Sequence, residues 1–166
     1  MQLDHHSTNF TSKKFPITLI CEQVGTAANI GSLFRTADAF GVEKLIFCGK
    51  EIPMGRKMTK TSRATEKYVD YEVSENIQEK LSDLKQKNYF LVALEITEAS
   101  HDLKSFEFPK QKRIALVIGE ENFGISEAVL QQMDAVVHIP MFGQNSSMNL
   151  VQASSVALYE ITNQMS

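Results

Sequence analysis

No long hydrophobic run, no paired cysteine motif and no excess of positive charge marks this sequence, and each lack removes a class of function. The longest apolar runs, such as Ile114 to Ile118, fall far short of the roughly 20 residues needed to cross a bilayer. The polar start Met1-Gln-Leu-Asp-His-His6 does not read as a signal peptide, so a soluble, cytoplasmic protein is expected. Cys21 and Cys48 each close an apolar, strand-like run without a CxxC partner, which predicts buried reduced thiols rather than a disulfide or a metal site. Repeats, low-complexity tracts and long linkers are missing. With 20 acids against 17 bases the net charge is −3, which by itself argues against a nucleic-acid partner.

The distribution of charge says more than its sum. Between Lys50 and Lys67 six bases (Lys50, Arg56, Lys57, Lys60, Arg63, Lys67) face two acids (Glu51, Glu66), a local excess of +4 that leaves −7 for the remainder. At 166 residues and 43% apolar content the chain has the size of one domain, able to bury a core without disulfides or metals. Strand-like runs at Ile17 to Cys21, Lys44 to Cys48, Tyr68 to Tyr71, Tyr89 to Leu94, Ile114 to Ile118 and Ala135 to Ile139 alternate with helical patterns. In the first helix Ile30, Leu33, Phe34 and Ala37 share a face, with Asn29 as the expected N-cap. Ser74 is expected to cap a helix carrying Ile77, Leu81 and Leu84, and Ser126 one running to Met133. A last helix is predicted from about Asn149 towards Gln164, and the basic stretch is read as a loop. This alternation predicts an α/β fold with a mostly parallel sheet covered by helices on both faces. Its ligands would bind beyond the carboxyl ends of the strands, which nominates the loops after Leu94, Ile118 and Ile139.

The loop after Ile118 holds Gly119, Glu120, Glu121, Asn122 and Gly124. It is neither GxGxxG nor a P-loop, and its two carboxylates would repel phosphate. A plain turn with solvated acids explains the spacing equally well. After Ile139, Pro140 stops the strand and Gly143 allows a turn, while Gln144, Asn145, Ser146, Ser147 and Asn149 offer uncharged hydrogen-bonding groups. Such a loop suits a ligand read through amides and hydroxyls, although spacing favours a helix cap by Ser147 or Asn149. Arg35 lies roughly 150° from the apolar stripe of its helix and points outward, which also fits a solvated pair with Asp38. No Ser/His/Asp arrangement or metal site is legible; His138 reads as a core residue, and His5 and His6 as part of a frayed terminus.

Three segments, in this order, carry a resemblance: Asn29-Ile-Gly-Ser-Leu-Phe-Arg35, Gly119-Glu-Glu121-Asn-Phe-Gly124-Ile-Ser126, and Ile139-Pro-Met-Phe-Gly143 with Ser147-Met-Asn149. Together they resemble the SpoU or TrmH branch of the SPOUT superfamily, RNA ribose 2′-O-methyltransferases, and Lys60 to Val69 is similar to the family's intervening segment. The resemblance implies a C-terminal deep trefoil knot, an exception to ordinary unknotted connections. It also implies a homodimer with active sites at the subunit interface and S-adenosyl-L-methionine as cofactor. The cofactor would be held around Leu94, Gly119, Ile139 and Met141, with Ser147, Met148 and Asn149 closing over it. Asn29, Arg35, Glu121 and Asn149 are the implied catalytic-site residues. Arg56, Lys57, Lys60 and Arg63 are the expected RNA contacts, a solvated loop being the alternative.

Departures from the family pattern are local. Leu150-Val-Gln-Ala153 replaces the usual Val-Ser-Val-Ala, so a serine hydroxyl is missing at Val151, and Glu120 adds a second acid beside Glu121. The chain reads as a single catalytic domain over 1–166 without a separate RNA-binding extension. A transfer RNA substrate is favoured over ribosomal RNA, although cues for the D-loop guanosine and for the wobble nucleotide conflict. A non-catalytic RNA- or cofactor-binding module and a base or small-molecule methyltransferase are the competing readings.

Overall fold

The computed structural model describes residues 2–4 and 6–166, so the reading of His5 lies outside the described residues. His6 sits in an exposed turn, its backbone N–H donating to the Asp4 carboxylate at 3.0 Å. In chain order the elements are β1 (Phe15–Glu22), α1 (Ala27–Ala39), β2 (Val42–Cys48), α2 (Arg56–Ser62), a 3-10 turn (Thr65–Lys67), β3 (Asp70–Ser74), α3 (Ile77–Gln86) and β4 (Tyr89–Leu94). They continue with β5 (His101–Asp102), β6 (Arg113–Ile118), α4 (Glu127–Leu130), β7 (Ala135–His138) and α5 (Leu150–Met165). The strands form one sheet in the order β3-β2-β1-β6-β4-β7-β5, and every pairing is parallel.

A parallel sheet covered on both faces needs apolar residues at successive positions, which is why its strands read as continuous runs. Alternate residues divide between two cores. Ile17, Leu19 and Cys21 of β1, Leu45 and Phe47 of β2, and Ile114, Leu116 and Ile118 of β6 pack with Ile30, Leu33 and Phe34 of α1 and Ala157, Leu158 and Ile161 of α5. On the other face Ile20, Ile46, Leu91, Ala93, Ala115 and Val117 pack with Leu81 and Leu84 of α3 and Val129 of α4. Cys21 and Cys48 fall in different cores, and both are free thiols. Burial pushes the Cys21 thiol well above its ordinary range and that of Cys48 up to about 12.

Several local expectations are corrected. The basic stretch is not a loop. Met58 and Ser62, one turn apart, are buried, and α2 packs closely on α1 because Gly31 has no side chain: a Cβ there would stand 2.5 Å from the Met58 carbonyl oxygen. Asn29 is not an N-cap, since α1 begins at Ala27 with Thr26 in the capping position, leaving Asn29 within the first turn. Asn76, not Ser74, caps α3, its side chain accepting from the Glu79 N–H at 3.1 Å, while Ser74 ends β3. β3 starts at Asp70, later than expected, because Tyr68 and Val69 close the turn before it. α4 stops at Leu130, short of Met133, and the two-residue edge strand β5 has no counterpart in the sequence reading. At α5 the Asn149 cap is present: its side chain accepts from the N–H groups of Val151 and Gln152 at 2.8 and 3.3 Å. Among the described residues no helix is long and apolar enough to cross a membrane.

Candidate active site

Strands β6, β4 and β7 are neighbours, so the loops leaving their carboxyl ends meet in space. They enclose a cavity of about 510 Å3, lined by all six of the expected cofactor residues: Leu94, Gly119, Ile139, Met141, Ser147 and Met148. The three nominated loops thus converge on one space. Apolar Leu94, Ile118, Ile139 and Leu150 share its wall with Glu95, Glu120 and Glu121, and no lysine or arginine lines it. His138 also faces the cavity rather than lying in a sealed core, with Nδ1 2.9 Å from the Ser100 hydroxyl.

The segment after β6 is gripped from both sides by carboxylates that the sequence reading missed. Glu22, the last residue of β1 and only 8% exposed, accepts from the Ser126 N–H at 2.9 Å and from its hydroxyl at 2.5 Å. Glu95, directly after β4, accepts from the Ile125 N–H at 3.1 Å with one oxygen and from the Ile96 N–H at 2.9 Å with the other. Because β6 runs between β1 and β4, these acids hold adjacent residues of one loop from opposite flanks. Gly124 is required here: its φ is +67°, and a Cβ would stand 2.4 Å from a Glu95 oxygen. An acid at the end of an apolar strand was the available signal.

Polar residues of the three motifs are joined by hydrogen bonds across distant parts of the chain. Asn29 donates its amide N–H to the Glu121 carboxylate, to which the Thr26 hydroxyl also donates at 3.3 Å. The Asn149 side-chain amide in turn donates to the Asn29 side-chain oxygen Oδ1 at 3.3 Å while capping α5. The division between the two acids is now visible. Glu121 reaches α1, whereas Glu120 accepts from Asn122 at 3.2 Å and pairs its backbone with Gly124. Ser147 is fixed by Asn145, whose side chain accepts from the Ser147 N–H at 3.2 Å. Val151 turns its side chain towards the core packed around α1 and α5.

Arg35 is not brought to this cavity. It is exposed on α1, six residues beyond Asn29 and therefore about 9 Å further along the axis. It follows Gly31, against which α2 packs, by one turn, so the two lie on the same side of α1. The alternative pairing with Asp38 is not formed, and among the described residues none of the ion pairs engages Arg35, Arg56, Lys57, Lys60 or Arg63. Those four α2-region cations are all exposed.

The family model of the SpoU rRNA Methylase family matches residues 16–159. The chain belongs to this family. A Staphylococcus saprophyticus protein named as a TrmH family tRNA/rRNA methyltransferase is 29% identical over 149 residues, which cover 89% of this SpoU-family chain and 59% of the relative. The tRNA (guanosine(18)-2′-O)-methyltransferase of Thermus thermophilus is 29% identical over 150 residues, covering 89% and 75% of the two chains. Among solved structures, the TrmH/SpoU tRNA modifying enzyme of A. aeolicus superposes with a TM-score of 0.83 at 25% identity, covering 92% of the SpoU-family chain and 77% of its own. AviRb, a SpoU methyltransferase from Streptomyces viridochromogenes solved with AdoMet, gives 0.79 at 26% identity over 97% and 64% of the two chains.

Proposed function

We propose that this SpoU-family protein transfers a methyl group from S-adenosyl-L-methionine to a ribose 2′-hydroxyl of RNA, with transfer RNA as the favoured substrate. The observation that carries the reading is the convergence of the loops after β4, β6 and β7 on one cavity, with Asn29, Glu121 and Asn149 joined by hydrogen bonds beside it. The cavity fits the cofactor in size and in chemistry. About 510 Å3 lies within the range of small-molecule sites, and a wall with three carboxylates and, among the described residues, no lysine or arginine suits a ligand bearing a sulfonium and an ammonium group. Leu94, Gly119, Ile139, Met141, Ser147 and Met148 would hold it. When bound, it supplies an electrophilic methyl group.

The protein's own contribution is orientation and charge. A guanidinium stays protonated at any relevant pH, so Arg35 is unsuited to act as a general base. In this reading Arg35 anchors the phosphate beside the target ribose and stabilises negative charge developing on the 2′-oxygen. Asn29 and Glu121 fix the start of α1 against the loop after β6, and Asn149 fixes the start of α5. The reading includes a homodimer whose active site is shared between subunits. It is supported by the separation of Arg35 from its own chain's cavity and by Val156 and Tyr159, 43% and 66% exposed on α5. It also includes the trefoil knot of the family, with which the late insertion of β6 and β7 between earlier strands is compatible.

The test is transfer of tritiated methyl from the cofactor to unfractionated tRNA, followed by nuclease digestion and nucleoside mass spectrometry. A ribose-methylated nucleoside is the expected product; a base-methylated one, or no transfer to any RNA, overturns the proposal. Arg35→Ala is expected to abolish transfer while leaving cofactor affinity within a few-fold, and retained turnover would remove Arg35 from the reaction.

A further inference from the structure

Between α2 and the 3-10 turn the backbone adopts a conformation that ordinary residues avoid. Arg63 and Ala64 have φ of +51° and +67°, two consecutive non-glycine residues in the left-handed region. Such geometry persists only where the surroundings enforce it. Here the buried Ser62 hydroxyl donates to Glu66, the Thr65 hydroxyl donates to the Ser62 carbonyl at 2.6 Å, and the Tyr68 N–H donates to the Thr65 carbonyl at 2.9 Å. The result is a rigid corner that turns Arg63, Lys67 and Tyr68 towards solvent.

Tyr68 is 72% exposed and has no ring partner among the described residues. Tyr71, three residues on, shows the contrast: its ring packs edge-on against Phe34 at 5.0 Å. Glu66 and Asp70 lie beside Tyr68, but the cations of this segment outnumber them, and among the described residues no ion pair uses Arg56, Lys57, Lys60, Arg63 or Lys67. An exposed ring in a segment rich in cations that form no ion pair has the composition of a surface that binds unpaired nucleic acid, where each base offers a π face and each phosphate a charge. A second copy of this chain is a poor occupant, because a symmetric contact through this corner would bring like charges together.

We propose that Tyr68 is a stacking platform for an unpaired nucleobase of the RNA substrate, with Arg63 and Lys67 flanking it and Arg56, Lys57 and Lys60 holding neighbouring phosphates. The proposal rests on RNA being the substrate, as argued above. Its location is consistent with that role. The corner adjoins α1, on which Arg35 lies one turn beyond the Gly31 that α2 packs against, so the platform would hold a base near the nucleotide being modified.

Stacking and phosphate contact respond differently to salt, which supplies the test. Binding of unfractionated tRNA and of a fluorescein-labelled single-stranded RNA oligomer is measured by anisotropy from low to moderate salt. Tyr68→Ala is expected to weaken binding about tenfold with the salt slope unchanged, because no counterion release is lost. Tyr68→Phe and Tyr68→Trp retain the affinity. Arg56→Glu with Lys57→Glu, in contrast, flattens the slope. Unchanged affinity in Tyr68→Ala, an equal loss in Tyr68→Phe, or a shift of oligomeric state on sedimentation of Tyr68→Ala overturns the platform. Failure of the methylation reading is separable: there wild-type protein transfers no methyl group to RNA, whatever Tyr68 does to binding.

Discussion

Replacing Glu95 by glutamine removes one charge and almost no volume, yet it is expected to disorder the loop that walls the proposed cofactor cavity. Both Glu95 oxygens accept from backbone N–H groups, those of Ile96 and Ile125 at 2.9 and 3.1 Å. A backbone N–H cannot reverse its role, so one of the two would face the glutamine NH2 with no acceptor between them. Hydrogen bonds to charged groups contribute about 1.5–3 kcal/mol, and Glu95 is half-buried, so the lower end of that range is the fitting figure. Carried into cofactor binding, about 1.5 kcal/mol is roughly a tenfold loss of affinity. Glu22 gives the internal control, because one of its partners is the Ser126 hydroxyl, which can donate or accept. Glu22→Gln can therefore keep both contacts and lose only the charge assistance, about 1 kcal/mol, whereas Glu22→Ala strands the Ser126 N–H and costs about 3 kcal/mol. Calorimetric titration with S-adenosylmethionine, paired with urea unfolding, reads both quantities. The expected order is that glutamine is tolerated at position 22 and not at 95. Wild-type cofactor affinity in Glu95→Gln, or equal damage from Glu22→Gln and Glu22→Ala, refutes the reasoning.

Two other predictions concern the scaffold. Burial raises both thiols, Cys48 to about 12, so neither cysteine is expected to react with a thiol reagent at pH 8 until urea unfolds the chain; stoichiometric labelling of folded protein contradicts the burial of both. Hydrogen bonds from Lys44 and Lys80, at 2.6 and 2.7 Å, hold the Glu72 carboxylate below its ordinary value of 4.5. A depressed folded value contributes stability above the unfolded pKa that is lost as pH falls through the folded one, so the urea midpoints of wild type and Glu72→Gln are expected to differ at pH 6 and to converge at low pH. A difference that persists at the lowest pH at which both fold counts against the ion pairs.

Some of this was legible in the sequence because burial leaves an unambiguous trace. Tyr89 to Leu94 is a strand with the bounds its apolar run predicts, and Ile30, Leu33, Phe34 and Ala37 are the buried stripe of α1. The three loops were found from strand ends alone, and they do share a cavity. Helix α2 was hidden for the opposite reason: only Met58 and Ser62 of its seven residues are buried, too few to show a period. Asn29 was mistaken for a cap because its partner Glu121 is 92 positions away, and no local pattern encodes that bond. Glu22 and Glu95 looked like ordinary acids at strand ends for the same reason.

The order of strands in the sheet bears on how the chain is made. β4 has two neighbours, β6 and β7, and both follow it in the sequence, while β5 pairs only with β7. A chain emerging from the ribosome can assemble β3-β2-β1 as soon as Ser74 is clear, but β4 and β5 have nothing to pair with until the last third has been synthesised. For that interval the edge of β1 and both edges of β4 are open, the condition under which nascent chains pair with one another. Premature termination before β6 would thus leave β1 and β4 with unpaired edges, a template for pairing between chains rather than a smaller closed sheet.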